Sequence, residues 1–266
     1  EPTDYKAVIP NISSFIDISI KLKLYRSIIE HTEIDFVKMK VIAVIPARKD
    51  SLRLPHKNRR KLLGKPLIEW SVKFAKKLKF VDDIIVSTND KIIVNNMKKF
   101  KIVKTFIRPK NLSGKKASTI DVILHVLKKY ERKFSKVDAI LLLQPTSPIR
   151  SIKKIYLAFK KYIYYKKIKS VISVSNTNFP SKENFEIRKN RLLSLECEKS
   201  KNFLYQINGN FYIASPLFLR KYRSFYFKNL TYPIVLNSKS LSIDIDTIVD
   251  FKKAEKALKK LWKNKL

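Results

Sequence analysis

Glycine is scarce in this 266-residue chain, which contains only Gly64, Gly114 and Gly209. Because the composition disfavours glycine, we expect each one to lie where no side chain fits or where φ must be positive. The single cysteine excludes an internal disulfide and fits a reducing compartment. No apolar run approaches the roughly 18 residues that cross a bilayer. These absences predict a cytoplasmic protein with no membrane span and no secretory signal.

Acidic residues are also few. Against 22 aspartates and glutamates stand 58 lysines and arginines, which gives a formal charge of +36. A nucleic acid or a membrane surface would suit such a charge. However, most of these cations are lysines, and they are spread over many predicted helical faces instead of forming one stripe. We therefore interpret the charge as solvated surface and disfavour a nucleic-acid partner, while a phosphate-bearing substrate fits either interpretation.

Buried apolar runs and amphipathic stretches alternate from residue 41 onward. The runs predict strands, and a 3.6-residue periodicity predicts helices between them. This order predicts an α/β fold with a Rossmann-like, mostly parallel sheet flanked by helices, whose strand-end loops meet at one edge. We divide the chain into an appendage of unknown role at 1–38 and one domain at 39–266. The predicted strands cover residues 41–46, 83–87, 102–106, 139–143, 170–174, 205–213 and 241–245.

The loop after the first strand carries three spaced cations, Arg48, Arg53 and Lys57. Cations and backbone donors at the carboxyl end of a central strand are typical of a phosphate site. We expect Arg48 and Lys57 to meet phosphate oxygens, with hydrogen bonds from Ser51 and Asn58. A basic surface turn is the alternative for any one of these cations.

A second polar segment, Leu-Gln-Pro-Thr-Ser-Pro-Ile-Arg at 143–150, follows another buried strand. Gln144 falls at the strand tip, where it would face a ligand cleft. Two prolines stiffen the turn before the next helix, and a plain strand-to-helix connector explains these residues about as well.

Two aspartates, Asp244 and Asp246, stand near the end of the chain. In a strand they would share one face, while the isoleucines beside them would face the core. Such carboxylates repel each other unless a cation joins them, and Mg²⁺ prefers oxygens of this kind together with substrate phosphates. A helix cap made by Thr247 and Asp250 is the competing interpretation.

These segments resemble the cytidylyltransferases that activate sialic acids and related nonulosonic acids. The resemblance rests on Pro-Ala-Arg-x-x-Ser-x-x-Leu-Pro-x-Lys-Asn at 46–58, on residues 143–150 and on Asp-Ile-Asp-Thr at 244–247, and it covers about residues 39–261. It implies that CTP and a nine-carbon 2-keto sugar acid give a CMP-sugar and pyrophosphate, with Mg²⁺ as cofactor. It also implies a fold of the nucleotide-diphospho-sugar transferase type and a homodimer, formed with a small extension at 175–235.

The same resemblance assigns roles to individual residues. Arg48, Lys57 and Asp244 would be catalytic, and Asp244 and Asp246 would hold the metal. The nucleotide would be bound by Ala47, Arg48, Ser51, Lys57, Asn58, Arg108 and Thr119. The sugar would be bound by Gln144, Lys182, Asn208 and Gly209. Two competing interpretations remain, a plain capped helix start around Thr119 and an ordinary core strand around Asn208.

The chain departs from the family pattern at several positions. Glycines common in the first loop are replaced at Lys49, Asp50 and Arg53, a usual acidic residue near Lys115 is absent, and Gln206 stands where an arginine is common. The departures leave open whether the sugar is sialic, legionaminic, pseudaminic or another nonulosonic acid. A Kdo-type cytidylyltransferase has a related first loop, but Asn58 and the segment at 141–150 disfavour it.

Overall fold

A computed structural model describes residues 39–114, 117–177, 184–194 and 203–263. The division at residue 38 and the sugar-binding role of Lys182 lie outside these ranges and stay predictions. No helix within them is long and apolar enough to cross a bilayer. The strands are β1 (Val41–Ala47), β2 (Lys61–Leu62), β3 (Lys65–Pro66), β4 (Asp83–Thr88), β5 (Val103–Ile107), β6 (Ala139–Leu142), β7 (Ser170–Thr177), β8 (Phe185–Arg188), β9 (Arg191–Ser194), β10 (Leu204–Ala214) and β11 (Thr231–Val235). The α-helices are α1 (Leu67–Ala75), α2 (Lys91–Met97), α3 (Thr119–Lys133), α4 (Ile152–Tyr164), α5 (Pro216–Tyr222) and α6 (Ile248–Lys263).

The main sheet has the order β11-β7-β10-β6-β1-β4-β5. β1 pairs in parallel with β4 and β6, and β4 pairs in parallel with β5. β10 runs antiparallel to both β6 and β7, and the hairpin of β8 and β9 attaches to its start. The predicted α/β fold with a mostly parallel sheet flanked by helices is confirmed, with β10 reversed inside it.

The strand predicted at 241–245 is wrong. A short 3₁₀ helix, Lys239–Ser242, occupies its first part, and an extended segment without a strand partner follows. The backbone N–H of Ile245 donates to the carbonyl of Thr146 at 2.8 Å, and the amide of Asn210 donates to the carbonyl of Leu241 at 2.7 Å. These backbone groups therefore form hydrogen bonds with a loop and with a side chain instead of with a neighbouring strand.

Five strands escape the prediction. β2 and β3 have two residues each and pair with each other, and β8 and β9 have four residues each, so all four are too short for a periodic pattern to be recognised. β11 contains Pro233, which removes a backbone donor and demotes a segment in any strand prediction. Its position at the edge of the sheet explains why proline is tolerated there.

The buried apolar residues form distinct clusters. In one, strand residues such as Ile42 and Val44 pack against Ile123 and Val126 of α3. A second cluster joins elements that are far apart in sequence. Its members come from the first loop, β2, α1, the connector before α4, the extended segment and α6: Leu54, Leu62, Leu67, Ile149, Ile245, Phe251, Ala254 and Leu258. Apolar packing therefore brings the cation loop and the paired aspartates to the same region.

Candidate active site

The carboxyl ends of β1, β4, β5 and β6 meet at one edge of the sheet, because these four strands are neighbours and run in parallel. Open α/β sheets bind ligands at this edge. Polar and charged residues follow directly after each strand or one residue later, namely Arg48, Asn89, Arg108 and Gln144.

Two arginines lie at this edge without an acidic partner. Arg108 is buried, and its guanidinium donates to the carbonyl of Ser87 at 2.8 Å. Burial, and then the positive charge of Arg48, lower the pKa of Arg108 to about 10, so it remains charged at neutral pH. Neither arginine forms an ion pair with a carboxylate in the described part of the chain. Two guanidinium groups that repel each other are suited to bind a polyanion.

The first loop is fixed to the sheet by its backbone. The N–H of Lys49 donates to the Asn89 side chain at 2.8 Å, and the Asn58 amide donates to the carbonyl of Arg48 at 3.0 Å. Asn58 is buried, so it supports the loop. Ala47 is buried as the last residue of β1, and Ser51 is half-buried in the loop.

Lys57 connects the loop to the end of the chain. Its Nζ donates to the carbonyl of Ile245 at 2.7 Å and to Oδ1 of Asp246 at 2.9 Å. Arg53 forms a second ion pair with Asp246, through Oδ2. The cation loop and the paired aspartates therefore converge, as the sequence predicted.

Asp244 has a different environment from Asp246. No ion pair neutralises its carboxylate within the described residues. Desolvation by the protein around it raises the pKa of Asp244, and the negative charges of Asp246 and Asp250 raise it further. The Thr146 hydroxyl and the charge of Lys57 oppose this shift. Asp244 is thus a carboxylate whose charge is under-compensated.

The donor set fits a divalent ion. The extended segment keeps the predicted alternation without being a strand, since Ile243 and Ile245 pack into the core and leave both aspartates facing away. The predicted cap also forms, because Thr247 Oγ1 donates to Asp250 at 2.7 Å. No group of three or more potential metal ligands occurs in the described ranges. Mg²⁺ commonly takes one or two carboxylates and completes its shell with phosphate and water oxygens.

Gln144 and Gly209 form a second part of the site. β10 has an irregular register between Ile207 and Tyr212, and Gly209 adopts a φ of +72° inside this bulge. A Cβ on Gly209 would lie 2.8 Å from Oε1 of Gln144. The glycine is therefore required both by the backbone and by the close approach of Gln144.

Two polar groups in this part lack partners. Oγ of Ser147 and Nδ2 of Asn208 are buried with no hydrogen bond to any described residue, whereas Oδ1 of Asn208 accepts from Ser173 at 2.7 Å. Ser147 Oγ is also 3.6 Å from the Cβ position of Gly209. Burying polar atoms without partners costs free energy, so these two atoms are candidates to bind a ligand or an ordered water.

Sequence reasoning missed the residues that hold this part together. Arg150 donates to the carbonyl of Asn210 at 2.8 Å, to Oγ of Ser71 at 3.0 Å and to the carbonyl of Gln144 at 2.5 Å. Burial lowers the pKa of Arg150 to about 9. Asn210 itself donates to the carbonyl of Ile149 at 2.8 Å. The sequence offered one signal for each residue. Arg150 is an arginine inside a polar motif, and Asn210 is an asparagine on an otherwise apolar strand.

Thr119 begins α3, which packs against β1 and β4. The hydrogen bonds and ion pairs of the site do not include Thr119 in the described part of the chain. Its neighbour Ser118 caps the helix by accepting from the N–H of Asp121 at 3.1 Å. The role of Thr119 in nucleotide binding stays a prediction.

The prediction that each glycine lies at a positive φ or where no side chain fits is confirmed at Gly64 and Gly209, with φ of +76° and +72°. It is wrong at Gly114, where φ is not positive and no described atom lies within 4 Å of a Cβ.

Comparison with known proteins shows the family of the chain. The family model described as cytidylyltransferase matches residues 42–265, and the chain belongs to this family. The chain is 35% identical over 227 residues to the CMP-N,N'-diacetyllegionaminic acid synthase of Legionella pneumophila, covering 83% of this chain and 97% of that protein. It is 31% identical to the N-acylneuraminate cytidylyltransferase of Escherichia coli over 82% of this chain but 52% of that longer protein.

A solved structure shows the same fold. The CMP:2-keto-3-deoxy-manno-octonic acid synthetase complexed with CTP superimposes with a TM-score of 0.67 over 83% of this chain and 99% of its own, at 17% sequence identity. This agreement supports the nucleotidyltransferase type of α/β sheet.

Proposed function

We propose that this cytidylyltransferase joins CTP to a nonulosonic acid, giving a CMP-sugar and pyrophosphate. One observation carries the proposal: unpaired Arg48 and Arg108 lie at the same sheet edge as Gln144, and the loop after Arg48 brings Lys57 onto Asp246. Cations for a triphosphate, acids for a metal and neutral donors for a sugar are thus parts of one site.

The triphosphate would bind at the cationic side. Arg48, Arg108 and Lys57 would neutralise its phosphates, and the loop fixed by Asn58 and Asn89 would hold them in place. The anomeric hydroxyl of the sugar would attack the α-phosphorus, and the bond to pyrophosphate would break in line with it. Positioning and charge stabilisation supply most of the rate in such transfers.

The metal would be held by Asp244 and Asp246. A divalent ion there supplies positive charge to the phosphate oxygens and acidifies a bound hydroxyl. Support comes from the raised pKa of Asp244, which reflects desolvation and the repulsion of Asp246 and Asp250. A bound cation would relieve this repulsion.

The sugar would bind beside the bulge of β10. Gln144, Asn208 and Ser147 would offer hydrogen bonds to its hydroxyl and amide groups, and the unpaired atoms of Ser147 and Asn208 support this. Lys182 would pair with the sugar carboxylate. The relatives act on different nonulosonic acids according to their names, so the proposal extends to this class of sugars.

We also propose that two copies of the chain form a homodimer through the extension at 175–235. The exposed aromatic rings of Phe203 and Phe227, with 76% and 43% of their surface accessible, support an interface there. Since the reaction consumes CTP, we expect it to occur in the cytoplasm. Light scattering on the purified chain would measure its mass directly, and a monomeric mass would contradict the dimer.

The reaction itself is tested by pyrophosphate release. The protein is incubated with CTP, Mg²⁺ and, in separate reactions, N-acetylneuraminic, legionaminic and pseudaminic acids and Kdo. We expect release with at least one nine-carbon acid and much less with Kdo. Release with Kdo alone, or with none of these sugars, would contradict the proposal. Reactions without sugar give the background.

A further inference from the structure

Two cations of the first loop bind the same aspartate. Lys57 Nζ lies 2.9 Å from Oδ1 of Asp246, and the Arg53 guanidinium contacts Oδ2. Both carboxylate oxygens of Asp246 are therefore engaged by protein cations, whereas Asp244 has no ion pair within the described residues. The two proposed metal ligands differ in how freely they can accept a metal ion.

The two cations are held very differently. The Lys57 side chain is 11% exposed and also donates to the carbonyl of Ile245, which fixes its position. The Arg53 side chain is 68% exposed. Exposed ion pairs contribute little to stability, so Arg53 can exchange Asp246 for a more highly charged anion, such as a phosphate, at little cost in free energy.

We propose that Arg53 acts as a latch on Asp246. In the nucleotide-free protein its guanidinium occupies one carboxylate oxygen and competes there with a divalent cation. The phosphates of an incoming nucleoside triphosphate attract Arg53 and free that oxygen, so that nucleotide and metal bind with positive coupling. This inference rests on the proposed function, because it takes Asp244 and Asp246 as the metal ligands.

The test measures metal binding without nucleotide, so it does not depend on activity. Free Mn²⁺ is quantified by electron paramagnetic resonance during titration of the wild-type protein, Arg53→Ala and Lys49→Ala. Lys49 is an exposed cation of the same loop whose side chain forms no ion pair in the structure's described ranges. The control therefore removes the same charge without touching Asp246.

We expect Arg53→Ala to tighten Mn²⁺ binding about two- to fivefold, in line with the loss of a competing exposed ion pair. Lys49→Ala should change it less than twofold, because the long-range effect of one charge is screened. Adding Asp246→Asn to Arg53→Ala should remove the gain.

Three results would overturn the latch. Equal tightening by both single variants would mean that general charge matters and not the contact with Asp246. Unchanged binding in Arg53→Ala, including no detectable binding in any variant, would mean that Arg53 does not hold the site closed. Persistence of the gain after Asp246→Asn would place the ion elsewhere. Equal tightening by both single variants would contradict the latch but not the proposed function, since pyrophosphate release tests that function separately.

Discussion

Asp83 lies at the edge of the sheet where the parallel strands begin, and Asp244 lies near the edge where they end. The surroundings of the two carboxylates shift their pKa values in opposite directions. At the edge where the strands begin, Asp83 contacts Lys104, Lys40 and the hydroxyl of Tyr130. Burial opposes ionisation of Asp83, but these partners outweigh it and hold its pKa below the usual value. At the edge where the strands end, the pKa of Asp244 is raised.

The arginines repeat this contrast. Arg108 and Arg48 repel each other at the carboxyl edge, and neither forms an ion pair with an acid among the described residues. Compensated charge stabilises a fold, whereas uncompensated charge costs stability and persists where a ligand provides the missing partner. The comparison therefore separates a structural edge from a functional edge. Variants at the structural edge should change the free energy of unfolding, and variants at the functional edge should change turnover or KM.

The largest effect should follow from Lys57→Ala. The change removes a cation that is proposed to neutralise the developing charge of the phosphates, so turnover should fall about 10²–10⁴-fold. Steady-state release of pyrophosphate measures it. Lys61→Ala removes an exposed lysine nearby and should have little effect. Activity of Lys57→Ala within roughly tenfold of wild type would count against the role.

A smaller effect should follow from Gly209→Ala. The new Cβ would press on Gln144 at 2.8 Å and strain a backbone at φ +72°, which displaces a group proposed to orient the sugar. We expect the KM for the sugar to rise roughly 10- to 100-fold, a loss of about 1.4–2.7 kcal/mol, while the KM for CTP changes little.

Gly64→Ala is the matched control for this substitution. Gly64 has nearly the same backbone conformation, with φ of +76°, but nothing lies within 4 Å of its Cβ position. It should lose stability from backbone strain without a change in the KM for the sugar. Equal effects of both substitutions on the KM would show that strain, and not the contact with Gln144, is responsible.

At the structural edge, Asp83→Asn should lower the free energy of unfolding by roughly 2 kcal/mol, because hydrogen bonds to a charged group are lost. Urea unfolding at neutral pH measures this loss. Turnover of the folded protein should stay close to wild type, since Asp83 is at the opposite edge from the site. A fall in turnover comparable to that of Lys57→Ala would contradict the assignment of a purely structural role to the edge that contains Asp83.

The smallest effect concerns the pH dependence of that loss. The pKa of Asp83 is lower in the folded protein than its ordinary value of 3.8. Its charge therefore stabilises the fold above pH 3.8, and this contribution disappears as the pH falls through the folded pKa. The difference in unfolding free energy between wild type and Asp83→Asn should shrink over the same range. A difference that grows on acidification would contradict the lowered pKa.

Most strands and helices could be predicted because side-chain periodicity is a local property. The predicted strands at β1, β4 and β6 agree with the observed strands within one or two residues. The segment at 241–245 failed because an isoleucine-rich alternation looks the same whether its backbone pairs with a strand or with a loop. Only the contact between Ile245 and Thr146 distinguishes the two.

The sequence by itself determined the family, the parallel sheet and the types of residue that gather at its carboxyl edge, since these depend on local patterns and motifs. The tertiary structure alone decided which charges are compensated. Lys57 and Asp246 are 189 positions apart, and they meet because the apolar cluster around Leu54 and Ile245 packs their segments together. Packing also decides the ion pair between Arg53 and Asp246 and the close approach of Gln144 to Gly209. Each joins residues that are far apart in sequence, so no local pattern could predict it.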